Sequence, residues 1–367
     1  MRKKNLISSL LIVTVLMTQG FVFQGCKKQP VQDKQEKEFI IGEIITKNGV
    51  YEKEGEEMYY GSKLAVDEIN DNDGVLIDGE KYHLKLITVD DESNPDMAKN
   101  LYKSLIDEGA QVLVAPVSTD SCKAVESLAY EDNIPMLISS VTSDEVGKFD
   151  NSFRLCLSDE QKGMEAADEA FYHMNSRKAV ILYHESSQEM MESYANEYIK
   201  NGGSIVGQEQ CSGDLESLTY CVNRIRASGA DVIFIPEQRD FSKAVMDFME
   251  QQQLGVSVVT SENWDGMKVN EYVYLRGIAY PKTYTDKFSG FSNMYFGEYE
   301  EMPNQEAAEG YDTIYAIVNA LNEAGNTDCD LQICAMSNIV FDGITGKEIH
   351  FSETGKCKRN VEFVRLR

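Results

Sequence analysis

Short apolar runs alternate with segments of helical periodicity from Phe39 to Thr260, and that alternation leaves the chain few folds to adopt. Strands are expected at Phe39–Ile45, Leu84–Val89, Gln111–Ala115 and Ile134–Ile138. Between them come three helices. One, after an acidic loop Tyr51–Glu57, carries Leu64, Ala65 and Ile69 at helical spacing; another is Pro95–Asp107, closed by Gly109; the third is Cys122–Glu131. Phe153–Leu157 starts a second block, in which helices Gly163–Met174, Met190–Asn201, Leu215–Ala227 and Phe241–Gln253 separate strands Ala179–Tyr183, Ser204–Gly207, Asp231–Ile235 and Val256–Thr260. Apolar strands interleaved with amphipathic helices indicate parallel sheets covered by helices on both faces. The pattern occurs twice, and 367 residues exceed one ordinary core. The expected class is therefore α/β with two such units.

Within the first block, two strands end alike. Gln111–Ala115 runs into the hydroxyl cluster Ser118, Thr119 and Ser121, and Ile134–Ile138 into Ser139, Ser140, Thr142 and Ser143. Ligands of open α/β sheets sit beyond the carboxyl ends of strands, where helix N-termini and free backbone N–H groups suit an anion such as a carboxylate. The same Ser and Thr residues also suit plain helix capping, and spacing does not separate the two readings.

The amino terminus points to export. Arg2, Lys3 and Lys4 precede the apolar run Leu6–Met17, so residues 1–25 read as a signal peptide. Phe23-Gln24-Gly25-Cys26 looks like a bacterial lipoprotein cleavage box, which makes Cys26 the expected lipidated first residue. An uncleaved anchor is the alternative, although the interrupted run is near the lower limit of roughly 17–25 residues for a span. Residues 26–38 then form a solvated tether, and the protein is extracytoplasmic and held at the membrane through its lipid.

Lys and Arg number 35 against 61 Asp and Glu, a formal charge of −26 that repels nucleic acid and anionic membrane surfaces. Apart from Cys26 the cysteines are Cys122, Cys156, Cys211, Cys221, Cys329, Cys334 and Cys357. Cys211/Cys221 and Cys329/Cys334 are near enough in sequence to bridge, but the odd number leaves paired and free states both open. With scattered histidines and no short ligand spacing, no metal is expected. The chain shows no G-x-S-x-G, phosphate-loop, dinucleotide-type or H-E-x-x-H motif, so neither a cofactor nor an enzyme is expected.

A set of local sequences then becomes specific in combination: Gly61-Ser-Lys-Leu-Ala-Val-Asp-Glu-Ile-Asn70, Asp73-Gly74, Asp90-Asp91, Phe153-Arg154, Tyr311-Asp312, and Phe341-Asp-Gly-Ile-Thr-Gly346 with Phe351 and Gly355. In this order they resemble the leucine/isoleucine/valine-binding protein family, the extracytoplasmic solute receptors of ABC importers, from about Ile40 to about Gly355. The resemblance implies the type I periplasmic binding protein fold, two Rossmann-like lobes joined by three crossings. It places lobe one at 39–156 plus 282–340 and lobe two at 157–281 plus 341–367. It further implies a monomer that binds a small molecule between the lobes and presents it to ABC permease subunits. The alternatives are a ligand-sensing lipoprotein serving a separate receptor and a binder of a non-amino-acid solute such as an amide or small carboxylate.

Carried over by position, Thr119 beside Ser118 holds an amino-acid carboxylate, with Thr142 as the second hydroxyl in the loop containing Ser140. Val141 offers a backbone carbonyl to the ammonium group, and Glu262 is the acid of lobe two that pairs with it. Gln188, Gln238 and Glu54 stand where branched-chain binders place aromatic rings. If those positions are aligned correctly, the side-chain pocket is polar, because an apolar guest would leave buried polar groups unpaired. A shift of a residue or two would instead bring Tyr183, Tyr51 or Trp264 to the pocket.

Overall fold

The computed structural model describes residues 37–184, 188–264, 272–282 and 284–366. The expected signal peptide, Cys26 and most of the tether lie outside the described residues. The tether's last two residues, Lys37 and Glu38, already belong to the first strand, paired with Tyr82 and His83.

Two six-stranded sheets organise the chain. The first contains β1 (Lys37–Ile45), β2 (Val75–Ile77), β3 (Glu80–Asp90), β4 (Val112–Val114), β5 (Met136–Ile138) and β6 (Ser152–Arg154) in the order β2-β3-β1-β4-β5-β6. All its neighbours are parallel except the β2–β3 hairpin. The second contains β7 (Lys178–Tyr183), β8 (Ser204–Gln210), β9 (Val232–Ile235), β10 (Ser257–Thr260), β11 (Gly277–Pro281) and, at its edge, β15 (Phe363–Leu366), ordered β15-β11-β10-β9-β7-β8. Only β15 runs antiparallel there. A small antiparallel sheet of β12 (Val340–Phe341), β13 (Ile349–Phe351) and β14 (Cys357–Lys358) completes the set.

Helices cover both faces of each large sheet, as the apolar strands require. On the first sheet, α1 (Glu52–Asp71) and α9 (Gln305–Ala324) bury Met58, Ala65, Ile314 and Ile317 on one face. On the other, α2 (Pro95–Asp107) and α3 (Thr119–Glu131) bury Tyr102, Leu105 and Val125. The second sheet carries α4 (Asp159–Asp168) and α5 (Gln188–Lys200) on one side, and α6 (Leu215–Ser228) and α7 (Arg239–Gln251) on the other. Two further helices, α8 (Phe288–Tyr299) and α10 (Cys329–Met336), pack into the first core through Phe291, Tyr295 and Met336.

Local chemistry explains several boundaries. Asn94, Ser118, Asp214, Asn304 and Asp328 each accept a backbone N–H at a helix N-cap. Gly61 and Gly310 let α1 and α9 cross closely, since a Cβ on Gly61 would overlap the Ala307 carbonyl and one on Gly310 the Met58 carbonyl. The expected acidic loop Tyr51–Glu57 is instead the first turns of α1. Gly55 and Glu57 are buried there, and a Cβ on Gly55 would overlap Thr46. That tertiary contact holds helix where a run of acids and a glycine read locally as loop.

The chain passes between the two layered units three times. It leaves β6 through 155–158 for α4, leaves β11 after Pro281 for α8, and leaves β14 through 359–362 for β15. The third passage corrects the expected division at 340/341. Phe341, Ile344, Ile349, Phe351 and Cys357 pack into the first core, and only β15 joins the second sheet. Asp312 on α9 fixes this segment by accepting the N–H groups of Ile344 and Thr345 (both 2.8 Å) and the Thr345 hydroxyl (2.7 Å). Apolar content and a buried carboxylate, rather than position along the chain, decide where the segment lies.

All seven described cysteines are free thiols. Among the described residues no helix is long and apolar enough to cross a membrane.

Candidate functional site

In each large sheet the strand order reverses at one place, between β1 and β4 in the first and between β7 and β9 in the second. Crevices beyond the carboxyl ends of strands at such points are where open α/β sheets take ligands. Beyond β9 lies Gln238, the N-cap position of α7, and beyond the neighbouring β10 lies Glu262. Both line an open cleft of about 670 Å³ whose other wall is Lys53 and Glu54 of α1 and Pro303–Glu306 at the start of α9. Thus Glu54, Gln238 and Glu262 come together from both layered units.

The remaining expected residues lie outside the lining of this cleft. Ser118 is buried and caps α3, its Oγ accepting the Ser121 N–H at 3.2 Å. Thr119 is the partly exposed first residue of α3, and Ser140 is half-buried after β5. The Val141 carbonyl accepts the Cys156 thiol at 3.3 Å. The Thr142 carbonyl accepts the Asp159 N–H at 2.9 Å and the Arg154 guanidinium at 3.2 Å. Gln188 is exposed at the start of α5, and its amide donates to Glu192 at 2.5 Å.

Arg154 explains the shape of the loop after β5. Its guanidinium is 2% exposed and also donates to the carbonyls of Ser143 and Val146, both at 2.7 Å, with Asp144 as its ionic partner at 3.4 Å. A planar group with five donors can hold several carbonyls in a fixed arrangement. Burial alone would raise the Asp144 carboxyl; the Glu160 N–H, Lys356 and Arg154 outweigh it and hold it below its ordinary range.

The cleft itself is charged. Glu262 pairs with Lys162 of α4 at 3.3 Å, with side-chain exposures of 32% and 16% respectively. Burial by itself would lower the Lys162 ammonium; Glu262, Asp159 and further acids outweigh it and keep the lysine cationic. Behind the facing wall, burial and Glu306 push the buried Glu309 up to about 8, and its carboxyl accepts from the Gln305 amide at 2.9 Å. Glu306 is raised by burial and by Glu54, Glu262 and Glu57. Burial likewise raises Glu57, against the Tyr295 hydroxyl that donates to it at 2.7 Å. Such a site can balance one cation and one anion on a bound molecule.

Lys162 and the Glu306/Glu309 pair escape a reading of the sequence. The helix expected from Gly163 begins at Asp159, under a capping box in which Ser158 and Gln161 bond each other's backbone N–H. Ser158-Asp-Glu-Gln161 was the available signal, and it puts Lys162 inside the first turns of a helix that faces the cleft. No local pattern marks Glu306, which meets Glu54, Glu57 and Glu262 from far away in sequence, or Glu309, which meets Arg359 and Lys162.

The family described as periplasmic binding protein matches residues 39–367. An amino acid binding protein of Pseudomonas aeruginosa is 24% identical over 306 residues, 79% of each chain. A branched-chain amino acid transporter substrate-binding protein of Streptococcus pneumoniae, solved with isoleucine, has a TM-score of 0.66 at 20% identity and covers 90% of this chain and 100% of its own. A solute-binding protein of Rhodopseudomonas palustris, solved with 3,4-dihydroxybenzoic acid, has a TM-score of 0.70 at 19% identity, covering 90% and 93%. At these identities the solved structures share the fold with this chain.

Proposed function

The chain belongs to the periplasmic binding protein family, and from that premise we propose that it is an extracytoplasmic solute-binding lipoprotein of an ABC importer. It captures an amino acid or related small polar molecule between its lobes and leaves it chemically unchanged. The observation that carries this reading is the convergence of Glu54, Gln238 and Glu262 from both lobes on one cleft. Each lobe supplies half of the contacts, so closure gains free energy only when a ligand bridges them. The relative from Pseudomonas aeruginosa is named for amino acid binding, which favours the same ligand class. A thermal-shift screen of amino acids, amides, sugars and small carboxylates tests the reading, since a ligand at a hundred times its Kd stabilises by about 2.7 kcal/mol. Glu262→Ala then lowers amino-acid affinity by roughly 2–5 kcal/mol. Binding unaffected by that change, or a stabilising set made up only of sugars, overturns it.

One observation favours a second reading. Glu262 already has a cation, Lys162, at 3.3 Å, so a small carboxylate without an ammonium group is also suited to this site. Under that reading Glu262→Ala frees Lys162 and tightens carboxylate binding.

Attachment through diacylated Cys26 is part of the proposal, because two chains anchor stably where one is marginal. Cys26→Ser then yields released protein or an unprocessed precursor; unchanged size and membrane retention point to an uncleaved anchor.

A further inference from the structure

The three passages between the lobes line a second cavity of about 110 Å³, to which Leu157 comes from the first, Lys282 from the second and Arg359–Glu362 from the third. Glu262, Tyr284 and Gln305 line both this cavity and the cleft, so the two adjoin. Four basic side chains line it against three acidic ones, in a chain of formal charge −26. Two of the four are spoken for: Lys282 lies 3.7 Å from Glu362 and Lys347 3.6 Å from Asp286. The other two are Lys162 and Arg359. Lys162 gives Glu262 one of its three N–H donors, leaving two. Arg359 forms no ion pair among the described residues and bonds the Thr345 carbonyl at 2.9 Å with one of its five N–H groups. The nearby Asp312 is already held by three donors of Ile344 and Thr345.

We propose that this hinge cavity is an anion subsite, in which Lys162 and Arg359 hold a second carboxylate of a ligand whose other end lies in the cleft. The ligand class is a small dicarboxylate, with or without an amino group. Lys162 is then the specificity-determining residue: it joins the acid of the cleft, Glu262, to the cationic corner of the hinge cavity. A ligand with one carboxylate leaves that corner hydrated, and one with two replaces the water by charge-assisted hydrogen bonds. The inference rests on the proposed function and deepens it.

Calorimetry on the purified protein tests it with four probes: glutamate and glutarate, and their mono-amides glutamine and glutaramate. The expected result is that each diacid binds at least tenfold tighter than its amide. Arg359→Gln cuts diacid affinity tenfold or more while changing amide affinity less than threefold, and Lys162→Met, which also frees Glu262, cuts the preference for diacid over amide tenfold or more. The use of two variants on different elements keeps the test sound if one of them misfolds. Equal affinity for diacids and amides, or an equal loss of both in the variants, overturns the subsite while leaving amino-acid capture standing. Failure of all four probes, when other amino acids bind, overturns the subsite alone; failure of every amino acid and carboxylate overturns the proposed function as well.

Discussion

The loop after β5 and the loop after β10 both follow parallel strands of the large sheets, and they are held in opposite ways. The first is fixed by Arg154, buried and bonded to the carbonyls of Thr142, Ser143 and Val146. The second presents Glu262, whose side chain is held by one partly exposed ion pair to Lys162 and whose carbonyl accepts the Thr260 hydroxyl at 3.2 Å. A web of buried bonds to backbone yields one rigid shape, whereas a single ion pair in a solvated cleft can be exchanged for a ligand's charge. Rigidity and exchangeability are therefore divided between the Arg154 and Glu262 side chains.

The largest effect should come from the rigid side. Arg154→Leu removes a charged donor from three carbonyls, takes an ionic partner from the largely buried Asp144 and should cost roughly 3–5 kcal/mol of unfolding free energy, measured by urea denaturation. A loss below about 1 kcal/mol would mean that the loop is held by something else.

A second effect depends on pH and comes from carboxyls buried in the first lobe. Glu309 ionises near 4.5 when unfolded but is pushed up to about 8 in the folded protein. Between those values the unfolded state has released a proton that the folded state keeps, so this residue's contribution to stability falls as pH rises. Glu43, buried in β1 and pushed up to about 7, acts in the same direction. Glu309→Gln should flatten the decline between pH 5 and 8 and raise stability at pH 8 by an amount on the order of a few kcal/mol. An unchanged slope in that variant sinks the assignment.

The Lys162–Glu262 pair should show a smaller coupling. A double-mutant cycle with Lys162→Met and Glu262→Gln, without ligand, should give about 1 kcal/mol, because the pair is partly exposed and screened. Coupling comparable to the Arg154 effect would make this loop as rigid as the other.

The smallest effect distinguishes the two glutamines. Gln188→Ala should change stability by less than about 0.5 kcal/mol and ligand affinity by less than about threefold, since the exposed side chain only reaches Glu192. Gln238→Ala, in the cleft, should change ligand preference measurably. The reverse order would move the pocket toward α5.

Much of the fold follows from local patterns. The alternation of apolar strands and helices, the caps at Asn94, Ser118 and Asp214, and the glycines of α1 and α9 all appear along the chain because period, capping and close approach are properties of short segments. Glu262 and Gln238 could be placed at strand ends for the same reason. The tertiary structure decided what no segment contains. It turned Tyr51–Glu57 largely into helix by packing Gly55 on Thr46, and it kept 341–357 in the first lobe through Asp312. It also set Lys162 against Glu262 across a hundred residues. Burial and Coulombic attraction act over distance in space, so the charges that meet in the cleft are assigned only once the chain has closed around it.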